Sequence, residues 1–186
     1  MRSQIQGIKN TETEETDTKM REELTKQDVE KIKQEIDHRS HEVRAEILEA
    51  LKEARAQGDL SENFEYYAAK RDNRRNNSRI SYLERMLKTA KIISDESKED
   101  EVGLNNTVEV YLPEDDETEV YRLVTSIRGD SLNGKISIES PLGKALMGHR
   151  VGDTVTVKVS DTYSYPVEIR RIENTGDDGT DRIRSY

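Results

Sequence analysis

The chain has 186 residues, 32% of them hydrophobic and 37% charged, with one Phe, no Trp and a formal net charge of -9. That balance excludes a single large apolar core, and the negative total argues against general attraction to nucleic acid. An elongated molecule is expected, with helices paired along a narrow apolar seam and a small sheet domain that buries one face. Without cysteine there is no disulfide and no thiolate metal site. With no run of about 18 apolar residues and no charged-then-apolar leader pattern, the expected setting is cytoplasmic with no membrane partner.

Residues 1–23, rich in Thr, Glu and Asp, read as a disordered acidic N-terminal extension. From Leu24 to Gln57 there is no Gly or Pro, and Val29, Ile32, Ile36, Val43, Ile47, Leu51 and Ala54 recur at spacings of three, four and seven, which predicts a helix. Gly58 ends it. A second stretch free of Gly and Pro, from about Phe64 to Ile93, carries Ile80, Leu83, Leu87 and Ala90 as an apolar stripe. Two helices of about 30 residues joined by so short a connection must fold back antiparallel, each about 45 Å long. The hairpin is assigned to 24–94, with its tip at about 58–63. Arg39 and Ser40 are expected opposite Asn73, Asn76 or Asn77, where polar residues either set the register or lie on an exposed face.

Residues 95–104 read as an acidic linker. Beyond it Thr107–Leu112, Val120–Ile127, Lys135–Glu139, Thr154–Val159 and Tyr163–Ile172 alternate apolar with polar residues, predicting antiparallel strands. Turn signals stand at Pro113 to Asp116, at Asn133-Gly134 and at Val151 to Asp153. Pro141 to Met147 has room for one short helix with Pro in its first turn. The fold class is therefore α+β: an antiparallel two-helix coiled-coil hairpin, then a small antiparallel β domain with one short helix over 105–173, and a flexible tail over 174–186.

Asp59 and Glu62 place two carboxylates three residues apart at the end of this rod. One reading is a capping box, in which Asp59 accepts from backbone amides while Glu62 reaches back. The other starts from magnesium, a hard cation held by one or two carboxylates while it keeps waters and borrows further ligands. Two carboxylates on a tip cannot form a complete site, but they can complete another protein's in two-metal phosphodiester chemistry. Between Phe64 and Lys91 eight basic residues, including Lys70, Arg71 and Arg74, face three acidic ones, a local balance of +5. Such a face either steers a nucleic-acid strand or is solvated and paired within the helix. His38 and His41 share a helix face but lack further nitrogen or thiolate partners, so they read as surface residues.

Leu24-Thr25-Lys26, Glu53-Ala54-Arg55, Gly58-Asp59-Leu60-Ser61-Glu62-Asn63, Glu65-Tyr66, Ala68-Ala69-Lys70, Arg79-Ile80 and Leu83-Glu84 resemble the helical hairpin of the bacterial GreA/GreB transcript cleavage factors. Gly134-Lys135-Ile136-Ser137, Ser140-Pro141-Leu142-Gly143-Lys144-Ala145-Leu146 and Val151-Gly152-Asp153 resemble their C-terminal domain. The resemblance covers about 24 to 172, with the motifs of both domains in order. It implies a coiled coil that enters the secondary channel of bacterial RNA polymerase, and an FKBP-like domain that grips the channel rim through Glu139, Ser140 and Pro141. It implies further that Asp59 and Glu62 hold a shared magnesium ion (Mg), in the complex alone, near the 3′ end of backtracked RNA.

On this resemblance the polymerase performs the hydrolysis and the chain is not itself an enzyme. It acts as a single copy and carries no cofactor when free. Arg55 and Lys70 match basic positions near the RNA, and Arg71 and Arg74 extend that face. A second reading within the family is a channel-binding regulator or inhibitor that does not stimulate cleavage; retention of both Asp59 and Glu62 speaks against it. A prolyl isomerase, also compatible with an FKBP-like fold, lacks its aromatic pocket here, because the one Phe lies in the hairpin. Arg44-Ala45 stands where the family has an Arg-Pro step, and Asn73 to Asn77 departs from a Gln, Gly or Glu pattern. Both departures are expected to straighten the hairpin or alter its contact with RNA.

Overall fold

The computed structural model describes residues 21–56, 63–98, 100–176, 179 and 181–184. The expected tip, apart from Asn63, lies outside them, as does the extension before residue 21. The chain divides into two units, Met1–Glu22 with Val29–Lys91 and Glu23–Asp28 with Ile92–Tyr186. Among the described residues no helix is long and apolar enough to cross a membrane.

In the first unit, helix α1 (Lys26–His38, grouped with this unit from Val29) continues through a π turn (Arg39–Val43) into α2 (Arg44–Ala56), and α3 is Phe64–Thr89. The pairing is antiparallel, since Ala54 meets Asn63, Arg39 meets Asn76 and Glu35 meets Arg79. The buried line on α3 is Ala69, Asn76, Arg79, Leu83 and Met86, spaced by seven, three, four and three, as a seam requires. Of the expected stripe only Leu83 is fully inside; Ile80, Leu87 and Ala90 are half-buried because Arg79 and Met86 take the inner positions.

The seam therefore carries charge at its centre. The Glu35 carboxylate accepts from Arg39 Nε at 2.7 Å and from Arg79 Nε and Nη2 at 2.9 and 3.1 Å. Asn76, the one of the three candidate asparagines that meets Arg39, donates from Nδ2 to the Arg39 carbonyl at 3.0 Å. That carbonyl also accepts the Arg44 N–H five residues on, the hydrogen bond of a π turn. So although Arg44-Ala45 carries no Pro, the first helix is irregular where the asparagine inserts.

Burial pushes the Glu35 carboxyl up, but the hydrogen bonds from Arg79 and Arg39 outweigh it and leave the group below the ordinary 4.5. A lowered folded value means stability that is present above 4.5 and lost as pH falls through the folded value. The hairpin is expected to lose helix on acidification below that point, and Glu35→Gln to flatten this dependence. Far-UV circular dichroism against pH checks it, and an unchanged acid transition in the variant would count against the assignment.

The second unit holds a five-stranded sheet of β3 (Asn106–Leu112), β4 (Glu117–Val124), β5 (Lys135–Ser137), β6 (Thr154–Lys158) and β7 (Ser164–Asn174), in the order β5-β4-β3-β7-β6. Two short segments precede it, β1 (Glu23–Leu24) and β2 (Lys91–Ile92), and the Ile93 N–H donates to the Leu24 carbonyl at 2.9 Å. One short helix, α4 (Pro141–Leu146), follows β5. Alternation along β3 and β6 sends Val108, Val110, Val155 and Val157 into a core completed by Leu123, Ile138, Leu146, Val167 and Ile169. This curled sheet with its helix and the preceding hairpin establish a mixed helix and sheet architecture.

Three expectations need correction. The sheet is not wholly antiparallel, because β5 runs parallel to β4. After β4 the chain makes two single-turn 3-10 helices, Ser126–Arg128 and Ser131–Asn133, and reverses at Gly134 (φ +70°), so that it re-enters in the same direction. Residues 95–104 are not merely a linker, since Val102 and Leu104 are buried in the core. The stretch 174–186 is not simply a loose tail: Asn174 closes β7, Asp181 is buried, and the Arg184 N–H donates to the Ile127 carbonyl at 2.8 Å.

Asp181 belongs to a buried ionic cluster. Arg128, with no side-chain exposure, pairs with Asp28 Oδ1 at 2.8 Å and Asp181 Oδ2 at 3.3 Å, while Lys135 and Arg122 also reach Asp181. Asp28 accepts in addition from Thr125 Oγ1 at 2.9 Å. It forms a reciprocal box with Thr25, its N–H donating to Thr25 Oγ1 at 3.1 Å while the Thr25 N–H donates to Asp28 Oδ2 at 2.9 Å.

Candidate functional site

Asn63 is the one residue of the expected tip among the described residues, and it holds both flanks together. Its Oδ1 accepts the Tyr66 N–H at 2.9 Å, capping α3, and its Nδ2 donates to the Ala54 carbonyl near the end of α2 at 2.8 Å. One side chain thus satisfies an orphan donor on one helix and an orphan acceptor on the other. Asn63 therefore fills the cap position of α3 that the Asp59–Glu62 spacing had offered to Asp59. Asp59 and Glu62 themselves lie outside the described residues.

Immediately behind Asn63 two of the expected basic residues converge. The Arg55 guanidinium of α2 and the Lys70 ammonium of α3 stand 5.9 and 5.7 Å from the centre of the Tyr66 ring. Exposed contacts of this kind are worth about 0.5–1 kcal/mol each, enough to bias both cations toward the base of the tip. Arg71 and Arg74 are exposed on the outer side of α3, Arg71 lying 3.7 Å from Asp72. Phe64 and Tyr67 are exposed on the same helix, at 88% and 53%.

The histidines of the first helix stay at the surface, His38 beside Glu42 and His41 beside Asp37, each pair at 3.1 Å. Among the described residues no group of three or more His, Asp or Glu could hold a metal ion.

In the second unit the structure brings Glu139, Ser140 and Pro141 into one tight segment. Ser140 Oγ donates to the Ser137 carbonyl at 2.6 Å and accepts the Gly143 N–H at 3.0 Å, so it is the N-cap of α4. The Glu139 N–H donates to Ser137 Oγ at 3.0 Å. Gly143 is required here, because a Cβ would stand 2.1 Å from the Ser137 carbonyl oxygen. Ser140 is thereby structural, and Glu139 and Pro141 are left exposed on the wall of a groove of about 1170 Å³ that Leu142, Lys135, Arg182 and Arg184 also line.

Sequence reasoning missed three features: Asn63 as a double tie, the Tyr66 ring beneath the two cations, and the Asp28–Arg128–Asp181 cluster. The first had a local signal, an Asn just before a helical stretch. The second had one for Lys70 alone, four residues after Tyr66 on the same helix, whereas Arg55 and the buried cluster join residues distant in sequence and had none.

Two family models match in chain order, "Transcription elongation factor, N-terminal" over residues 22–92 and "Transcription elongation factor, GreA/GreB, C-term" over residues 96–174. Among curated relatives, the transcription elongation factor GreA of Thermoanaerobacter pseudethanolicus is 46% identical over 137 residues, 73% of this chain and 87% of that protein. That of Acholeplasma laidlawii is 42% identical over 150 residues, 81% and 95% of the two chains. Among solved structures, the GreA factor homolog 1 (Gfh1) of Thermus thermophilus is 30% identical and covers 82% of this chain and 99% of its own, with a TM-score of 0.38. On the matches to both of its parts and the identity to its curated members, this chain belongs to the GreA/GreB family of bacterial transcription elongation factors.

Proposed function

We propose that this elongation factor binds bacterial RNA polymerase, inserts the hairpin tip into the secondary channel, and stimulates the polymerase's own cleavage of backtracked RNA. The observation that carries the reading is the construction at the base of the tip. Asn63 ties the end of α2 to the start of α3, the two helices between which Asp59 and Glu62 fall in the sequence, while Arg55 and Lys70 gather on the Tyr66 ring. Because Asn63 fills the cap of α3, neither carboxylate is needed there. Their donor set is all oxygen and incomplete, which suits a magnesium ion shared with a partner. When bound, that ion supplies positive charge for hydrolysis of a phosphodiester. In this reading Asp59 and Glu62 supply two carboxylates to that ion, and Arg55 and Lys70 supply cations for an RNA backbone. No active site of its own is required, and a single copy suffices.

In the second unit, read as FKBP-like, Glu139 and Pro141 serve the polymerase rim and Ser140 shapes their backbone. Glu139→Lys, which leaves the Ser137–Ser140–Gly143 hydrogen bonds in place, is expected to weaken polymerase binding about tenfold, the size of one lost charge-assisted contact (1.4 kcal/mol is tenfold). A pull-down with unaltered retention would remove the rim assignment. The reading as a whole is tested by adding the chain to backtracked elongation complexes. The result expected is RNA shortened from its 3′ end followed by resumed synthesis. Binding without shortening would favour a channel-occupying regulator instead.

A further inference from the structure

The one Phe of the chain is not used in either core. Phe64 stands at the first position of α3 with 88% of its surface exposed, although burying such a side chain would gain about 1.5–3 kcal/mol. Tyr67, one turn on, is exposed at 53%. Phe64, Tyr67, Arg71 and Arg74 fall at helical spacings of three, four and three, a single stripe about 15 Å long on the outer side of α3. The seam residues Ala69, Asn76, Arg79, Leu83 and Met86 occupy the opposite side. Isolated exposed apolar residues are ordinary. Two aromatic rings followed on the same stripe by two guanidinium groups form the combination that holds a single nucleic-acid strand, rings for base faces and cations for phosphates.

We infer that Phe64 and Tyr67 form a stacking platform for an unpaired base of single-stranded RNA, with Arg71 and Arg74 receiving the adjoining phosphates. Local charge favours this occupant over an apolar protein pocket, because the segment from Phe64 to Lys91, which contains α3, carries a balance of +5 in a chain of net charge -9. Arg71 also meets the Asp72 carboxylate at 3.7 Å, an exposed contact that a phosphate can replace. The inference rests on the proposed function for the source of the strand, the extruded RNA end, and adds a base contact to a tip otherwise described only by charge. The platform needs no particular base, since every base has a face to stack.

The test uses the full chain bound to backtracked polymerase carrying 4-thiouridine at the RNA 3′ end, comparing wild type with Phe64→Leu, Phe64→Trp and Asp59→Asn plus Glu62→Gln. The platform predicts photocrosslinks from the RNA to the peptide that begins α3. It also predicts about a tenfold drop in both crosslinking and cleavage for Phe64→Leu, within the range of one base stack, and retention of both in Phe64→Trp. Affinity for polymerase without RNA should be the same in all four proteins. The neutral-tip variant separates the two ideas, because it should still crosslink while failing to stimulate cleavage. Crosslinking equal in wild type and Phe64→Leu would overturn the platform and leave the carboxylate reading standing. Loss of affinity for RNA-free polymerase in Phe64→Leu would overturn it too, by assigning the ring to a protein contact.

Discussion

Asp59→Asn combined with Glu62→Gln is expected to reduce stimulated RNA cleavage about 100-fold or more, the scale seen when charge stabilisation is removed from a reacting centre, while polymerase binding stays nearly unchanged. Each substitution keeps the shape of the side chain, removes a negative charge and exchanges one acceptor oxygen for a donor NH2 group. Helix α3 should be unaffected because its cap is Asn63, whose Oδ1 accepts the Tyr66 N–H. Affinity should be preserved because the exposed Glu139 and Pro141 belong to the other unit. Single-turnover cleavage measured beside equilibrium binding checks both halves. Full cleavage by the neutral tip would remove the role given to the carboxylates.

The largest effect on stability is expected from Arg128→Met. Its guanidinium lies between Asp28 and Asp181, and all three side chains have at most 1% exposure. Truncating one member of a buried ionic group leaves the others charged without compensation and costs about 3–5 kcal/mol. Asp181 shows what is lost: burial raises its carboxyl, yet the hydrogen bond from Lys135 and the charges of Arg122, Lys135 and Arg128 hold it below the ordinary 3.8. Thermal unfolding followed by tyrosine absorbance checks it, with Tyr111, Tyr121, Tyr163 and Tyr165 reporting this second unit and Tyr66, Tyr67 and Tyr82 the first. Asp181→Asn should cost less, because Arg128 keeps Asp28. Equal melting of Arg128→Met and wild type would mean that the cluster contributes nothing net.

The hairpin was legible because helical periodicity runs from Val29 to Ala54 and a second helical stretch opens at Phe64, so the chain must turn between them. What escaped was rotation of the second helix about its axis. The pattern pointed to Ile80 and Leu87, whereas Arg79 lies inside because Glu35 gives it a partner, and of the three asparagines expected opposite Arg39 it is Asn76 that meets the Arg39 carbonyl. Pairing of this kind overrides hydrophobicity and depends on residues 37 to 44 positions away, which no local window contains. Strand positions were legible from alternation, but the direction of β5 was not, because it follows from the turns between Ser126 and Gly134 rather than from β5 itself. The docking of Asp181 and Arg184 was hidden for the same reason: a polar tail reads as loose until its buried counter-ions are known. Of the basic residues expected at the site, the structure brings Arg55 and Lys70 together on the Tyr66 ring, and the meeting with Arg55 required the two helices to be placed together.

Cleavage rate titrated against magnesium in backtracked complexes, with the wild-type chain and with its neutral-tip variant, bears most directly on whether the tip recruits a divalent ion to the polymerase. Saturation at clearly lower magnesium with wild type than with the variant is the expected outcome. Superimposable magnesium curves for the two proteins would contradict the account.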